Sequence, residues 1–133
     1  MQYLIDTQIA VWIVNNDSKL SAKTVEILQN PENEIIFSQI SLIELSIKLK
    51  LQKLPSFITT IEYLHRQLLE NELVFIPIQN VDIWAYQQIP FFEDHRDPFD
   101  RLLLATAYEK QIPIISDDDK FDYYSSVLTI IKN

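Results

Sequence analysis

Two stretches of this chain concentrate residue types that can hold a cation or move a proton. The first is His95-Arg96-Asp97-Pro98-Phe99-Asp100-Arg101-Leu102-Leu103-Leu104-Ala105, and the second is Ile114-Ile115-Ser116-Asp117-Asp118-Asp119. The first reads as a helix opened by an acidic cap, the second as a short buried strand that runs into an acidic cluster. Helix N-termini and the C-terminal ends of parallel strands are where α/β proteins assemble ligand sites. Here both carry bare carboxylates and no glycine, which suits the oxygen chemistry of a hard divalent cation. The first stretch also has a plainer explanation. Asp97-Pro98-Phe99-Asp100 at N-cap, N1, N2 and N3 is a good helix start, because the Asp cap bonds free N–H groups, Pro is tolerated at N1, and acids suit the positive end of the helix dipole. Capping does not explain three consecutive Asp after a strand, which is more than turn chemistry needs.

Two further acids lie far away in sequence. Asp6 follows the apolar run Tyr3-Leu4-Ile5, so it stands at the end of a strand and facing the crevice of a parallel sheet. It is equally placed to cap a helix beginning at Thr7. Glu44 belongs to a strongly apolar helix on which Ser41, Glu44 and Lys48 form the one polar stripe. It either pairs with Lys48 at a rim or points into a polar pocket. His65 reads as a surface or boundary residue on an amphipathic helix. His95 could touch a substrate, but one His without a partner makes no catalytic triad.

The elements that must position these residues follow from periodicity and caps. Strands are expected at Tyr3 to Ile5, Glu34 to Phe37, Leu73 to Ile76, Ile112 to Ile115 and Val127 to Ile131. Helices are expected at Ile9 to Val14, Ser21 to Gln29, Gln39 to Leu51 behind Ser38, Phe57 to Leu69, Val81 to Gln87, and from the Asp97 cap to about Lys110. Short continuous apolar strands alternating with helices imply a parallel sheet covered on both faces. The expected fold is therefore a three-layer α/β/α domain with a central parallel sheet of four to five strands. With no repeat, linker or low-complexity segment, residues 1–133 read as one domain.

Composition narrows the function classes. Cysteine is absent, which excludes disulfides and thiolate metal sites. Glycine is absent too, which excludes P-loops and dinucleotide-binding Gly-rich turns, since both need close backbone approach to phosphate. Helix ends and turns must then use other residues, and Asn30, Asn71 and Asn80 stand where these are expected. No apolar run reaches membrane-span length and the start lacks a basic signal-peptide lead, so a cytoplasmic protein is the simplest expectation. The net charge of −8 is the wrong overall sign for a nucleic-acid binder. Nearly half of the 19 acids, however, lie between Glu93 and Asp122, and clustered carboxylates repel one another unless a cation sits among them.

Taken together, these motifs resemble the PIN-domain nucleases, and within them the VapC-type toxins of bacterial toxin–antitoxin modules. Tyr3-Leu4-Ile5-Asp6-Thr7 followed by Ala10-Val11-Trp12 is similar to the family's opening strand and first acid. Ile36-Phe37-Ser38 through Ser41-Leu42-Ile43-Glu44-Leu45 resembles the segment bearing the second. His95 to Ala105 is close to a family signature, and Pro113-Ile114-Ile115-Ser116-Asp117-Asp118 resembles the closing strand and turn. Gln111, where the family often has Gly, and Ser116, where Thr is commoner, are modest departures.

The resemblance implies a PIN fold and an endoribonuclease that hydrolyses RNA phosphodiester bonds with metal-activated water. It implies Asp6, Glu44, Asp100 and Asp118 as the catalytic acids around Mg²⁺ or Mn²⁺. Asp6 and Asp100 are the expected metal contacts, and Thr7, Asp97 and Ser116 the supporting groups. Asp117 and Asp119 leave the fourth acid ambiguous by one residue. Lys48, Lys50, Lys53 and Arg101 are candidates for holding the RNA backbone. A cognate antitoxin and a homodimer are the expected protein partners. Two other readings remain open: a PIN-fold nuclease of RNA or DNA maintenance without a toxin role, and a non-catalytic, receiver-like metal-binding interaction domain. A receiver needs a phosphorylatable Asp ending a central strand, and Phe37-Ser38 and Ile76-Pro77 supply none.

Overall fold

The apolar runs do form strands, and the strands do alternate with helices. The computed structural model describes residues 1–133. In chain order it comprises β1 (Gln2–Ile5), α1 (Thr7–Asn15), α2 (Ala22–Gln29), β2 (Glu34–Ser38), α3 (Gln39–Lys50), α4 (Ile61–Glu70), β3 (Val74–Ile76), α5 (Asn80–Ala85), α6 (Pro98–Lys110), β4 (Ile114–Ser116) and β5 (Ile130–Lys132), with 3₁₀ turns at Tyr86–Gln88 and Asp119–Tyr124. The sheet has five strands in the order β3-β2-β1-β4-β5, and every pairing is parallel. Strand order reverses between β1 and β4, one half of the sheet winding out through β2 and β3 and the other through β5. Such a switch point opens a crevice at the C-terminal ends of the two strands.

Alternation along the strands assigns the layers. Leu4, Ile36 and Ile114 join a core with Ile40, Leu103, Leu104, Phe121 and Tyr124 on one face. Ile5, Phe37 and Ile115, one residue on, join Ile9, Trp12, Leu45, Leu64 and Leu68 on the other. Successive strand side chains point to opposite faces, so each strand is buried twice and reads as a continuous apolar run. The domain is α/β/α, as expected.

The differences from expectation have local causes. The fourth helix begins at Ile61, not Phe57: the Thr60 hydroxyl accepts from Tyr63 N at 3.0 Å and starts the helix there. Ile58 is buried before that helix begins, so its apolarity reports burial and not helical phase. β5 is confined to Ile130–Lys132, because Val127 and Leu128 close the preceding 3₁₀ turn by bonding Tyr124 O. Asp119–Tyr124, which carries no strand or helix periodicity, folds as a 3₁₀ turn. It buries Phe121 and Tyr124.

Left-handed backbone falls at Asn16, Gln52, Glu72 and Gln111, and not at Asn30, Asn71 or Asn80. The Asn30 and Asn71 side chains are engaged otherwise. Asn71 Nδ2 donates to Gln67 O at 2.8 Å and Asn30 Oδ1 accepts from Glu32 N at 2.9 Å, while Asn80 opens α5. Gln111 closes α6 at φ 53°, with Ile112 N bonded to Ala107 O at 3.1 Å. This is the 6→1 bond of a Schellman motif, whose C′ residue is usually Gly. A side chain bearing a Cβ costs about 1–2 kcal/mol there, more if β-branched. Gln111→Gly, which removes that cost, is therefore expected to hold or raise unfolding free energy, whereas Gln111→Val, which adds β-branching to a cost Gln already bears, lowers it. Urea denaturation of both variants in chelator checks this, and equal losses would show that backbone hand is not what matters at Gln111.

Candidate active site

The crevice at the β1/β4 switch point is filled with carboxylates. A cleft of about 280 Å³ is lined by Asp6, Thr7, Gln8, Glu44, Lys48, Asp97, Asp100, Asp117 and Asp118, with no apolar residue among them. Four elements deliver these groups, each for a local reason.

Asp6 comes off the end of β1, its N–H still bonded to Ile115 O in the sheet at 3.0 Å. It caps α1 as anticipated: Oδ1 accepts from Ile9 N at 2.9 Å. Oδ2 accepts from the Ser116 hydroxyl at 2.5 Å, which in turn accepts from Asp118 N at 3.0 Å. Ser116 at the end of β4 thus links the first acid to the last. Glu44 points inward from α3 and is buried, so of the two positions open from the sequence it takes the polar pocket. Its Oε1 accepts from the Thr7 hydroxyl at 2.9 Å. Thr7 has one proton to give, so the Ser41 hydroxyl, 3.0 Å from Thr7, is the donor of that second bond. Lys48 bonds Glu44 Oε2 at 2.7 Å and remains partly exposed, so the i,i+4 pair and the pocket coexist.

Asp97 caps α6, accepting from Phe99 N at 2.9 Å and Asp100 N at 3.4 Å. Asp100, one turn in, is half-buried, with Oδ2 3.1 Å from His95 Nε2. The three consecutive Asp residues are sorted by their contacts. An Asp118 carboxylate oxygen lies within 4.8 Å of Asp100 and His95 ligand atoms. Asp117 also lines the cleft, but its Oδ1 accepts from Asn133 Nδ2 at 3.1 Å. Asp119 turns away to Lys132 at 2.7 Å.

Crowding changes the acidity. Burial pushes the Asp6 carboxyl from 3.8 to about 6, with Asp100 and Glu44 adding repulsion against the Ser116 and Ile9 hydrogen bonds. Asp100 is likewise pushed up to about 6, by burial first and by Asp97 second. A divalent cation relieves both causes at once, because it replaces lost hydration and offsets like charge. The possible ligands lining the cleft are carboxylates, a hydroxyl and the Gln8 amide, oxygen donors that fit a hard divalent cation and not a thiolate-seeking metal.

Two candidate residues are placed differently from expectation. Arg101 is 4% exposed, its guanidinium spent on Tyr86 Oη, Pro90 O and Ile89 O at 3.0, 2.8 and 3.2 Å. It is not free to grip an RNA backbone. Its i+3 and i+4 neighbours, Leu104 and Ala105, are both fully buried, and that helical face was the available sign that Arg101 turns inward. His95 does have partners: besides Asp100, its Nδ1 is 2.6 Å from Tyr124 Oη. No sequence spacing joins residues 95 and 124. Among the other cations, Lys53 joins Lys48 in an adjoining cleft that shares Thr7 and Gln8, while Lys50 lines a separate groove.

A family model for the PIN domain matches residues 3–126. No curated protein matches the chain. Among solved structures, VapBC2 from Rickettsia felis, bound to a DNA fragment from its promoter, superposes with TM-score 0.69 at 19% identity over 99% of this chain and 98% of that one. VapBC-1 from nontypeable Haemophilus influenzae gives 0.63 at 20% identity over 99% and 98%. VapC20 from Mycobacterium tuberculosis, described as a Sarcin-Ricin loop cleaving toxin, gives 0.62 at 12% identity over 98% and 99%.

The raised carboxyls have a consequence for the metal-free protein. In the unfolded chain Asp6 and Asp100 ionise near 3.8, in the folded chain near 6. The folded state therefore binds more protons between those values, and their contribution to stability falls as pH rises from about 4 through 6. Asp6→Asn keeps an N-cap and removes one penalised charge. In EDTA, the variant is expected to melt above the parent at pH 8 and to converge with it towards pH 4. Parallel melting curves across that range would show that burial of Asp6 carries no such cost.

Proposed function

The chain belongs to the PIN domain family, and from that premise we propose that it is a metal-dependent endoribonuclease acting as the toxin of a toxin–antitoxin pair. The observation that carries this reading is a cleft lined by Asp6, Glu44, Asp97, Asp100 and Asp118 with no apolar wall, at the switch point of the sheet. PIN domains are nucleases, and the similarity to VapBC complexes and to a toxin described as cleaving the Sarcin-Ricin loop supports the narrower assignment.

Asp6 and Asp100 would hold Mg²⁺, or Mn²⁺ in its place, being the two acids of the cleft whose carboxyls are pushed up most and whose charge most needs a counter-ion. Glu44 and Asp118 complete the catalytic set by orienting water and substrate at its edge. Thr7 and Ser116 support the site by fixing the carboxylates of Glu44 and Asp6. Asp97 supports it by capping α6, which fixes the backbone that carries Asp100. When bound, the cation supplies charge neutralisation at the scissile phosphate and a lowered pKa for attacking water. Lys48, partly exposed beside Glu44, is the cation placed to exchange its carboxylate partner for an RNA phosphate.

The partners follow from the same reading. A small antitoxin protein holds the enzyme inactive. A homodimer covers the exposed apolar side chains Ile43 and Ile47 on α3 and Ile83 and Trp84 on α5, of which Trp84 is 68% exposed. The site of action is the cytoplasm, where RNA and antitoxin meet it, and no helix is long and apolar enough to cross a membrane.

Asp6→Asn and Asp100→Asn are each expected to cut Mg²⁺- or Mn²⁺-dependent RNA cleavage by about 10²-fold or more, since losing metal stabilisation forfeits several kcal/mol at the transition state. Circular dichroism should be unchanged. Undiminished cleavage in either variant sinks the assignment. Expression of the chain should arrest growth, and co-expression of a small antitoxin gene, if one lies beside its own, should relieve it; growth without arrest sinks the toxin role.

A further inference from the structure

His95 is buried behind the acidic cleft and is not part of its wall. It is 4% exposed, and the cleft is lined by Asp97, Asp100, Asp117 and Asp118 without it. Both ring nitrogens are occupied, Nε2 by Asp100 Oδ2 at 3.1 Å and Nδ1 by Tyr124 Oη at 2.6 Å. Tyr124 Oη is in turn 3.4 Å from Arg101 Nη1. The four residues form one line of polar contacts running from the interior to a carboxylate of the site.

The chemistry of its two ends sets the direction of this line. Arg101 can only donate, so Tyr124 Oη accepts from it and has its own proton free for Nδ1. An ionised Asp100 can only accept, so Nε2 must carry the hydrogen that faces it. Both ends demand the same tautomer: proton on Nε2, lone pair on Nδ1. Every group in the line then gives one bond and takes one, except at its ends. Arg101 itself is fixed by three neutral acceptors and by the Tyr86 ring, whose centroid is 4.9 Å away.

The backbone around His95 is pinned as well. Arg101 holds the Ile89 and Pro90 carbonyls, and Tyr123 and Lys120 hold Asp94 through its carboxylate and its carbonyl, each at 2.7 Å. The 3₁₀ turn that supplies Tyr124 is capped by Asp118, so the fourth acid and the clamp on His95 share one element.

We propose that His95 is a positioning residue for Asp100: its Nε2–H, aimed by Tyr124 and Arg101, fixes Asp100 Oδ2 and leaves Oδ1 to face the cation. This rests on the metal-site reading above. The rival is that His95 joins Asp100 and Asp118 as a direct ligand, since their ligand atoms cluster within 4.8 Å. Burial behind Asp100 and the occupied ring nitrogens favour positioning.

The test uses Mn²⁺ alone as probe, on the full chain. Imidazole ¹⁵N shifts of the wild type should show the Nε2–H tautomer of His95; the Nδ1–H tautomer overturns the proposal. Electron spin echo spectra of the Mn²⁺-bound wild type should lack directly coordinated ¹⁴N; its presence makes His95 a ligand and overturns the proposal. By titration, His95→Ala should bind Mn²⁺ about 10–100-fold more weakly. His95→Gln, whose amide N–H reaches the place of Nε2–H, should recover most of that loss. Tyr124→Phe, which keeps the packing and removes the Oη, should shift affinity in the same direction as His95→Ala. Wild-type affinity in a folded His95→Ala or Tyr124→Phe overturns the proposal. These readouts do not depend on RNA, so failure of the ribonuclease reading shows separately, as Mn²⁺ bound and no RNA cut.

Discussion

Carboxylates brought together in a half-dry cleft repel each other and lose hydration, and the rest of this structure is arranged around that conflict. Asp6 and Asp100 bear it most strongly, both being pushed up to about 6, with burial the largest cause and neighbouring carboxylates adding to it. A fold that served stability alone could cap α1 with a neutral Asn or Ser at position 6 and carry an uncharged residue at position 100, keeping the N-terminal hydrogen bonds without the buried charge. Retaining acids there makes sense if a cation completes the site, because a divalent ion reverses the sign of the local electrostatics. Destabilised groups concentrated in one crevice are a common mark of function.

The scaffold holds these acids with groups that also have ordinary structural duties. Asp6 and Asp97 cap helices, Ser116 and Ser38 end strands, and Thr7 opens α1. Capping restrains each carboxylate by backbone N–H bonds, which are directional and short, so the site needs few dedicated residues. The hydroxyls of Ser116 and Thr7 then tie the acids of separate elements to one another, Asp6 to the Asp118 backbone and Glu44 to α1. Behind this layer lies the Arg101-Tyr124-His95 line. It gives Asp100 a donor on its inner oxygen without exposing a competing cation to the cleft.

The absence of glycine has a consequence for how the fold turns. Four non-glycine residues adopt left-handed backbone, each at some local cost. They occur where chain direction is forced by packing, as at Gln111, where α6 must end for Pro113 and β4 to enter the sheet. The cost at each is small beside the apolar cores that it allows to form.

The element types and the parallel sheet were readable from the sequence, because they are set by local rules, while the acids were singled out by the resemblance of their motifs to the PIN family and not by local rules alone. Asp6, Asp97, Ser21 and Ser38 are caps within hydrogen-bond reach of their own helices, and Leu4-Ile5 or Ile114-Ile115 are buried on both faces wherever their strand lies in the sheet. Proximity of Asp6 to Ser116, over a hundred residues apart, was not readable from spacing, nor was the choice of Asp118 over Asp119. Those depend on β1 and β4 being neighbours and on Lys132 arriving beside Asp119. Arg101 shows the same limit from the other side: apolar Leu104 and Ala105 on its helical face hint that it turns inward, but only the fold brings the carbonyls of Ile89 and Pro90 to receive its charge. His95, without any partner in sequence, acquires Tyr124 only when the 3₁₀ turn folds back against the loop before α6. Local chemistry and the motif resemblance named candidate residues; long-range packing, which brings distant elements into contact, decided which of them face the cleft and which stand behind it.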